Sequence, residues 1–295
     1  MPRPGALPYL WMLCGAASFS VMAIMASGLK EECDWQWIAI ARTGLAMIFS
    51  VMLAVGGGAK LVFLRPAKLW MRSVAGSLSL VCGFYAMTHY PISEVLTLTN
   101  MFPLWVAVLS LPLLGEWPPL DVWPSMLVGL MGIVLIQQHQ LPGSHVAVIA
   151  AIVNSLLSAV ALIGLHQVRE VDPRAIVAHF SAVALTACVA ALFLLPRSKP
   201  LVLDLPTAAT MLGVGVSATI GQLFMTKAFA HGPPARVSVV MLSQVGFTML
   251  LEMALWHRTF SSLTLIGIGL VVAPTAWTLL RRTPAAKEVP IEEPV

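Results

Sequence analysis

The chain has 295 residues, of which 58% are hydrophobic and only 10% charged, with a net charge of +4 and a mean hydropathy of +0.87. Soluble domains carry about a quarter charged residues, so this composition excludes a soluble globular fold, which could not cover its surface. The basic residues are scattered, and no basic patch with interleaved aromatics points to nucleic acid.

Apolar runs of about 20 residues, divided by short polar breaks, predict membrane helices. Ten spans are expected near 8–28, 35–55, 70–90, 94–114, 122–139, 145–167, 175–195, 207–230, 235–256 and 262–281. The opening, MPRPGALPYLWMLCGAASFS, has no A-x-A-like site where a signal peptide would be cleaved. Bulky Leu13 before Cys14 argues against a lipoprotein, so this segment is read as the first span. Cys33 falls in the next short loop, where a water-borne thiol reagent is expected to reach it. The other cysteines, Cys14, Cys82 and Cys188, lie inside apolar runs, and the four make no disulfide framework.

Polar residues inside the spans are the candidates for function, because an ionisable side chain at a helix centre costs at least ~2.5 kcal/mol. Arg42 in the second span has two readings: a cavity cation that meets an anionic group of a solute, or a structural arginine that binds helix-end carbonyls or snorkels outward. Tyr85 in the third span and Trp105 in the fourth either line a cavity or pack. The fourth span opens YPISEVLTLTNMFPLW, polar for an apolar helix. At 100° per residue, Glu94, Thr97, Met101 and Trp105 form a stripe with Asn100 on its flank and Thr99 on the far side. Glu94 suits a helix start, whereas Asn100 is deeper. Thr97 and Asn100 are therefore read as solute-facing, with Pro103 loosening the helix midway by removing a backbone donor. Asn154 in the sixth span, Gln222 in the eighth and Gln244 in the ninth carry amides that need several partners, and they complete the candidate set. His179 and Lys227 lie near inner span ends, where snorkelling is easy.

Orientation follows from lysine and arginine in short loops. With a cytoplasmic N-terminus, the inside receives Arg3, Lys60, Arg65, Lys68, Arg72, Arg169, Arg174, Arg236, Arg281, Arg282 and Lys287. The outside receives only Lys30, Arg197, Lys199 and Arg258. Both termini are expected in the cytoplasm.

The chain also repeats itself. Gly83-Phe-Tyr-Ala-Met87-Thr88 resembles Gly221-Gln-Leu-Phe-Met225-Thr226. The ladder Ala75, Ser79, Gly83 matches Gly213, Ser217, Gly221 at the same offset, and Leu127-Val-Gly129 matches Leu265-Ile-Gly267. His89-Tyr-Pro91 and His231-Gly-Pro233 pair after a four-residue insertion. Residues 1–143 and 144–282 are expected to be two five-helix repeats, with 283–295 a disordered cytoplasmic tail. An odd number of spans per repeat means inverted orientation, a frequent architecture of secondary transporters that puts the solute between the halves near the midplane.

The ten spans, the five-plus-five repeat and the phrase FYAMTHYPISEVLTLTNMFPLWVAVLSLPLLGE resemble the EamA-type drug/metabolite transporter superfamily. Arg42 in IAIARTGLA, the segment Phe84 to Met87, Pro103 and Gly115-Glu116 carry the likeness. The second half departs from it: His257 stands where a terminal glutamate is expected, and His179 stands roughly opposite Arg42. The resemblance implies an all-α membrane protein that moves a small organic solute, with a cavity drawn from the first, third, fourth, sixth, eighth and ninth spans. It does not choose among amino-acid-like, vitamin-like and nucleotide-like solutes. No enzyme motif is present, neither H-E-x-x-H, nor G-x-x-x-x-G-K-[ST], nor G-x-S-x-G, and no cofactor or metal is expected. The expected function is a secondary transporter of the cytoplasmic membrane, with a homodimer left open. The alternative is a structural or regulatory membrane protein on the same fold.

Overall fold

The computed structural model describes residues 6–29, 32–64, 66–89, 98–137, 145–197, 199–256 and 261–280. Among these residues the chain is all-helical. In chain order the helices are α1 (Leu7–Gly28), α2 (Trp35–Gly56), α3 (Ala67–His89), α4 (Phe102–Leu114), α5 (Val122–Gln137), α6 (His145–Gln167), α7 (Pro173–Leu194), α8 (Leu205–His231), α9 (Pro234–Met241), α10 (Ser243–Trp256) and α11 (Ser262–Leu280). Six stretches are long and apolar enough to cross a membrane: α1, α2, α6, α7, α8 and the run Pro234–Leu255 that joins α9 to α10. Shorter apolar segments lie in α4, α5 and α11. The expected tail at 283–295 lies outside the described residues.

Local chemistry sets the ends. Proline stands in the first two positions of α1, α4, α7, α8 and α9, where its missing N–H costs nothing and its fixed φ suits the helix. Asp172 caps α7 by accepting from the Arg174 amide at 2.8 Å, and Asp204 caps α8 by accepting from Thr207 at 2.8 Å. Gly115 closes α4 with φ +73°, its amide donating to Leu111 O at 2.9 Å, a left-handed cap that glycine adopts without steric cost.

Apolar and polar residues are arranged for a membrane. Large side chains such as Ile48, Met52, Leu127, Met131, Phe193 and Leu250 face outward, while Thr43, Ser50, Ser77 and Ser217 are buried. Those hydroxyls satisfy themselves on the carbonyl one turn back, for example Thr43 on Ala39 O at 2.7 Å and Ser50 on Ala46 O at 2.6 Å. Without a hydrophobic force between helices in lipid, small residues let backbones approach. A Cβ on Gly15 of α1 would lie 3.3 Å from the Gly221 carbonyl of α8.

The most extensive packing joins the first five helices to the last six. α3 lies on α6 as α1 lies on α8, α3 on α7 as α2 on α8, and α4 on α6 as α10 on α1, while α2 meets α7 and α5 meets α11. Exchanging the halves turns each contact into its partner or itself. One end of the bundle is tied by Arg236 to Asp121 at 3.2 Å, by Gln167 donating to Leu113 O at 2.7 Å and by Arg174 donating to Leu53 O at 3.0 Å. At the far ends of α2 and α7, the Lys199 amide donates to Asp34 at 2.8 Å, and Gln36 donates to Pro196 O at 3.1 Å. Cys33 is in this region but only 1% exposed, its thiol directed to Leu29 O. The expectation of an accessible loop thiol is corrected: the loop packs its cysteine into an apolar cluster with Leu29, Ile38 and Met211.

Candidate functional site

Two helix breaks organise the candidate site. Leu98 and Thr99 are helical, Asn100 and Met101 form a turn, and α4 starts at Phe102. In the second half, α9 stops at Met241 and α10 starts at Ser243. The amides of Met101 and Leu104 donate three residues back, to Leu98 O at 3.3 Å and Met101 O at 3.0 Å. Those of Leu242 and Val245 do the same, to Val239 O at 3.1 Å and Leu242 O at 3.0 Å. The same tightened turn thus stands just before α4 and between α9 and α10. Pro103 is therefore not a mid-helix loosener; it is one of the first two residues of the helix that follows the break. Asn100 sits at one break and Gln244 just beyond the other, both half-buried. Asn100 is engaged in interactions, and Ser20 of α1 donates to the Gln244 carbonyl at 2.9 Å. Thr97 lies outside the described residues.

Asn154 and Ser155, the partner of Trp105, are neighbours on α6. The Asn154 amide donates to Ser79 O at 2.5 Å, while the Ser79 hydroxyl lies 3.2 Å from Asn154 O and 2.6 Å from Ser158 Oγ. Gly83 makes room for this amide, since a Cβ there would lie 3.3 Å from Asn154 Cγ. One residue further, the Trp105 indole N–H donates to Ser155 Oγ at 3.0 Å. Tyr85 is half-buried and engaged in interactions of its own.

A second constellation is cationic. Arg72 is 3% exposed. Its Nη2 donates to Gln222 Oε1 at 3.2 Å, its Cζ stands 4.1 Å over the Phe180 ring, and its Nε has no partner. Arg42 is half-buried. The assignment of Arg72 to a cytoplasmic loop is corrected, because α3 starts at Ala67 and carries this arginine into the bundle. The sequence held a signal for it: Arg72 lies three residues before Ala75, on the face of the Ser79 and Gly83 ladder, which packs against α6. His179 has both ring nitrogens committed, Nε2–H to Phe63 O at 3.1 Å and Nδ1 to Ser73 Oγ at 2.7 Å, with the Trp70 ring edge-on at 4.8 Å. Its geometry is that of a packed polar residue. Lys227 is exposed.

The structure therefore joins Gln222 to Arg72, bonds Asn154 to Ser79 and Trp105 to Ser155, and puts Asn100 and Gln244 near the two turns. Two surface cavities among the described residues lie elsewhere. One of about 520 Å³ is an apolar groove between α2 and α8 near Gly44 and Met211. The other, of about 560 Å³, is polar and opens beside Glu116, His166 and Arg169. Among the described residues, no group of three or more metal-ligating side chains converges.

The sequence matches the EamA-like transporter family twice, over residues 6–138 and 145–280. It is 28% identical over 263 residues to the pseudopaline exporter CntI of Pseudomonas aeruginosa, covering 86% of this chain and 89% of that one. An uncharacterized transporter of Helicobacter pylori is 23% identical, with 70% of each chain covered. A probable transport protein of Saccharomyces cerevisiae is 24% identical, with 74% of this chain and 69% of that one covered. A crystal structure of a protein with 16% sequence identity superposes with a TM-score of 0.79, over 92% of this chain and 96% of that one, which shows a shared fold.

Proposed function

The chain belongs to the EamA-like transporter family, and from that premise we propose that it is a secondary transporter that exports a small organic solute across the cytoplasmic membrane by alternating access. The reading takes ten spans in two inverted five-helix repeats, bounded near 143 and 282, with both termini in the cytoplasm. α9 and α10 together make one span, and α4 with the turn that precedes it belongs to another. The outward direction follows the exporter from Pseudomonas aeruginosa; the solute class is drawn from this chain's own side chains.

The observation that carries the proposal is the pair of matched breaks, at Asn100–Met101 and at Leu242. Discontinuous helices in corresponding positions of two repeats are where secondary transporters hold solutes, because a break supplies backbone groups that a continuous helix keeps for itself. Here each break brings a side-chain amide with it. Arg42, Gln222, Asn154, Trp105 and Tyr85 are assigned to the same pathway, with Arg42 meeting an anionic group and the amides fixing its orientation.

The test has two parts. Metabolites are compared inside and outside cells with and without the protein, and the solute that shifts is used in labelled counterflow with proteoliposomes. Accumulation outside only when the protein is present, and counterflow in the reconstituted system, are expected. A protein inserted in the membrane that moves nothing in either assay is a structural or regulatory member of the fold. Orientation is checked separately with single-cysteine variants. Arg197→Cys should react with an impermeant thiol reagent on intact cells, and Lys60→Cys only after permeabilisation; the reverse pattern would invert the topology.

A further inference from the structure

We propose that the Arg236–Asp121 ion pair is the latch of a cytoplasmic gate and that α9 is its moving part. With the pair closed, α9 seals the cytoplasmic end of the bundle; with it released, α9 turns about Leu242 and opens that end to the solute. This deepens the transport reading and rests on it and on its topology.

The tightened turn at Leu242 separates α9 from α10, with the amides of Leu242 and Val245 donating three residues back. α9 belongs to the second half, yet it packs mainly on α4 and α1 of the first. Its Val237 and Val240 share one apolar cluster with Tyr9 and Val106. Arg236 Nη2 reaches both carboxylate oxygens of Asp121 at 3.2 Å, and the two side chains are 16% and 21% exposed. Among the described residues this is the one ion pair between the halves, since that of Arg174 with Asp172 lies within the second.

Helix stability does not explain the arginine. Arg236 stands in the first turn of α9, at the positive end of the helix dipole, where a cation is disfavoured. Asp121 immediately precedes α5, where a carboxylate is favoured. The arginine is thus placed for Asp121 across the interface and not for its own helix. Apolar side chains hold α9 without direction, whereas the ion pair fixes one position. The partial exposure of the pair also makes its release reversible. A pair deep in the bundle would leave two uncompensated charges when broken, but here both groups can pass into water. Alternating access opens and closes the cytoplasmic end in each cycle, and a contact made in only one of those states biases their populations.

The experiment uses the full chain with Cys14, Cys33, Cys82 and Cys188 replaced by alanine and Ser243→Cys as the reporter, because Ser243 is buried at the start of α10. Labelling by an impermeant thiol reagent is timed in inside-out and right-side-out membrane vesicles. Asp121→Asn and Arg236→Gln should each speed labelling from the cytoplasmic face by about tenfold, the population shift expected when the closed form loses a charged hydrogen bond. Both should slow labelling from the outer face. The exchanged pair Asp121→Arg/Arg236→Asp should restore the slow inner rate. Arg236→Lys keeps the charge without the fork, so it should shift both rates the same way by less, and it decides the matter where the neutral variants do not insert. Unchanged rates, faster labelling from both faces, or an exchanged pair as fast as the single variants would each overturn the proposal. Counterflow by the parent together with any of these results would sink the latch and leave the transport reading standing. The reciprocal shift in a protein that moves no solute would do the opposite.

Discussion

The contacts of α3 with α6 and of α1 with α8 are the same contact made twice, once in each arrangement of the halves, and they are built from different chemistry. Gly83 and Gly221 occupy matching positions in the repeat, and both let a helix come close. Gly83 faces the amide of Asn154, whereas a Cβ on Gly221 would meet the ring of Phe19 at 2.8 Å. The ladder serines diverge in the same way. Ser79 bonds across the interface to Asn154 and Ser158, but Ser217 donates to its own helix, at Gly213 O, 2.6 Å away. The arginines follow the same division. At the offset that pairs the two glycines, Arg42 corresponds to Phe180 and Arg72 to Thr210. Duplication supplies two equal backbone scaffolds, and side chains then make one interface polar and leave the other apolar. In lipid the apolar contact gains from dispersion and close packing, while the polar one keeps groups that a solute can use.

The largest effect that would break this comparison is on transport. Arg42→Ala should lower transport by on the order of tenfold or more, with melting temperature near that of the parent, and Arg42→Lys should keep part of it because the charge survives without the fork. Phe180→Ala, at the matching position of the second half, should be milder than Arg42→Ala. Equal losses from the two would mean that the halves are not chemically divided. The division also predicts opposite rankings for stability and transport. Phe19→Ala opens a cavity in the apolar interface and should cost about 3–5 kcal/mol on the scale of buried aromatic truncations. Asn154→Ala removes interhelical hydrogen bonds and should cost only about 0.6–2 kcal/mol, yet impair transport more. Thermal unfolding and counterflow on the same two preparations decide between them.

Smaller effects come from the breaks. Asn100→Ala and Thr97→Val should impair transport while leaving the protein in the membrane, and Thr99→Val should be mild. Gln244→Ala should act like Asn100→Ala, because the two amides sit at matched interruptions. Normal transport by both amide variants would remove the breaks from the site, and equal effects from Thr97→Val and Thr99→Val would remove the facial argument.

Hydropathy made most helices legible, because a run such as His145–Gln167 has nowhere else to go in water. The repeat was legible from Gly83, Gly221 and the serines between them. The breaks were not. Pro103 marked only one of them, and the second, at Leu242, carries no proline. Arg72 was hidden by the counting of loop cations, which treats a basic residue five positions into α3 as interfacial. Cys33 was misjudged because a short loop was equated with exposure. Asn154 and Gln222 were legible as amides in need of partners, but their partners, Ser79 and Arg72, come from another helix far along the chain.

The smallest predicted effect concerns the starts of α3 and α8, which also correspond in the repeat. Pro66 precedes α3 and brings no side-chain acceptor, while Asp204 at the matching position of α8 accepts from the Thr207 amide at 2.8 Å. Hydrogen bonding from Thr207, by its side chain first and by its backbone amide second, holds the Asp204 carboxyl below its usual value of 3.8. A carboxyl depressed in the folded state contributes stability above its unfolded value and loses it as pH falls through the folded one. The start of α8 should therefore loosen only in acid, below about pH 4, seen as faster amide hydrogen exchange near Thr207, with the start of α3 unchanged over the same range. Asp204→Asn keeps a capping oxygen that does not titrate, so its exchange should stay flat through that window, and Asp204→Ala should exchange fast at every pH. If the wild type and Asp204→Asn loosened together, acid would be acting elsewhere, and the difference between the two helix starts would not lie in the cap.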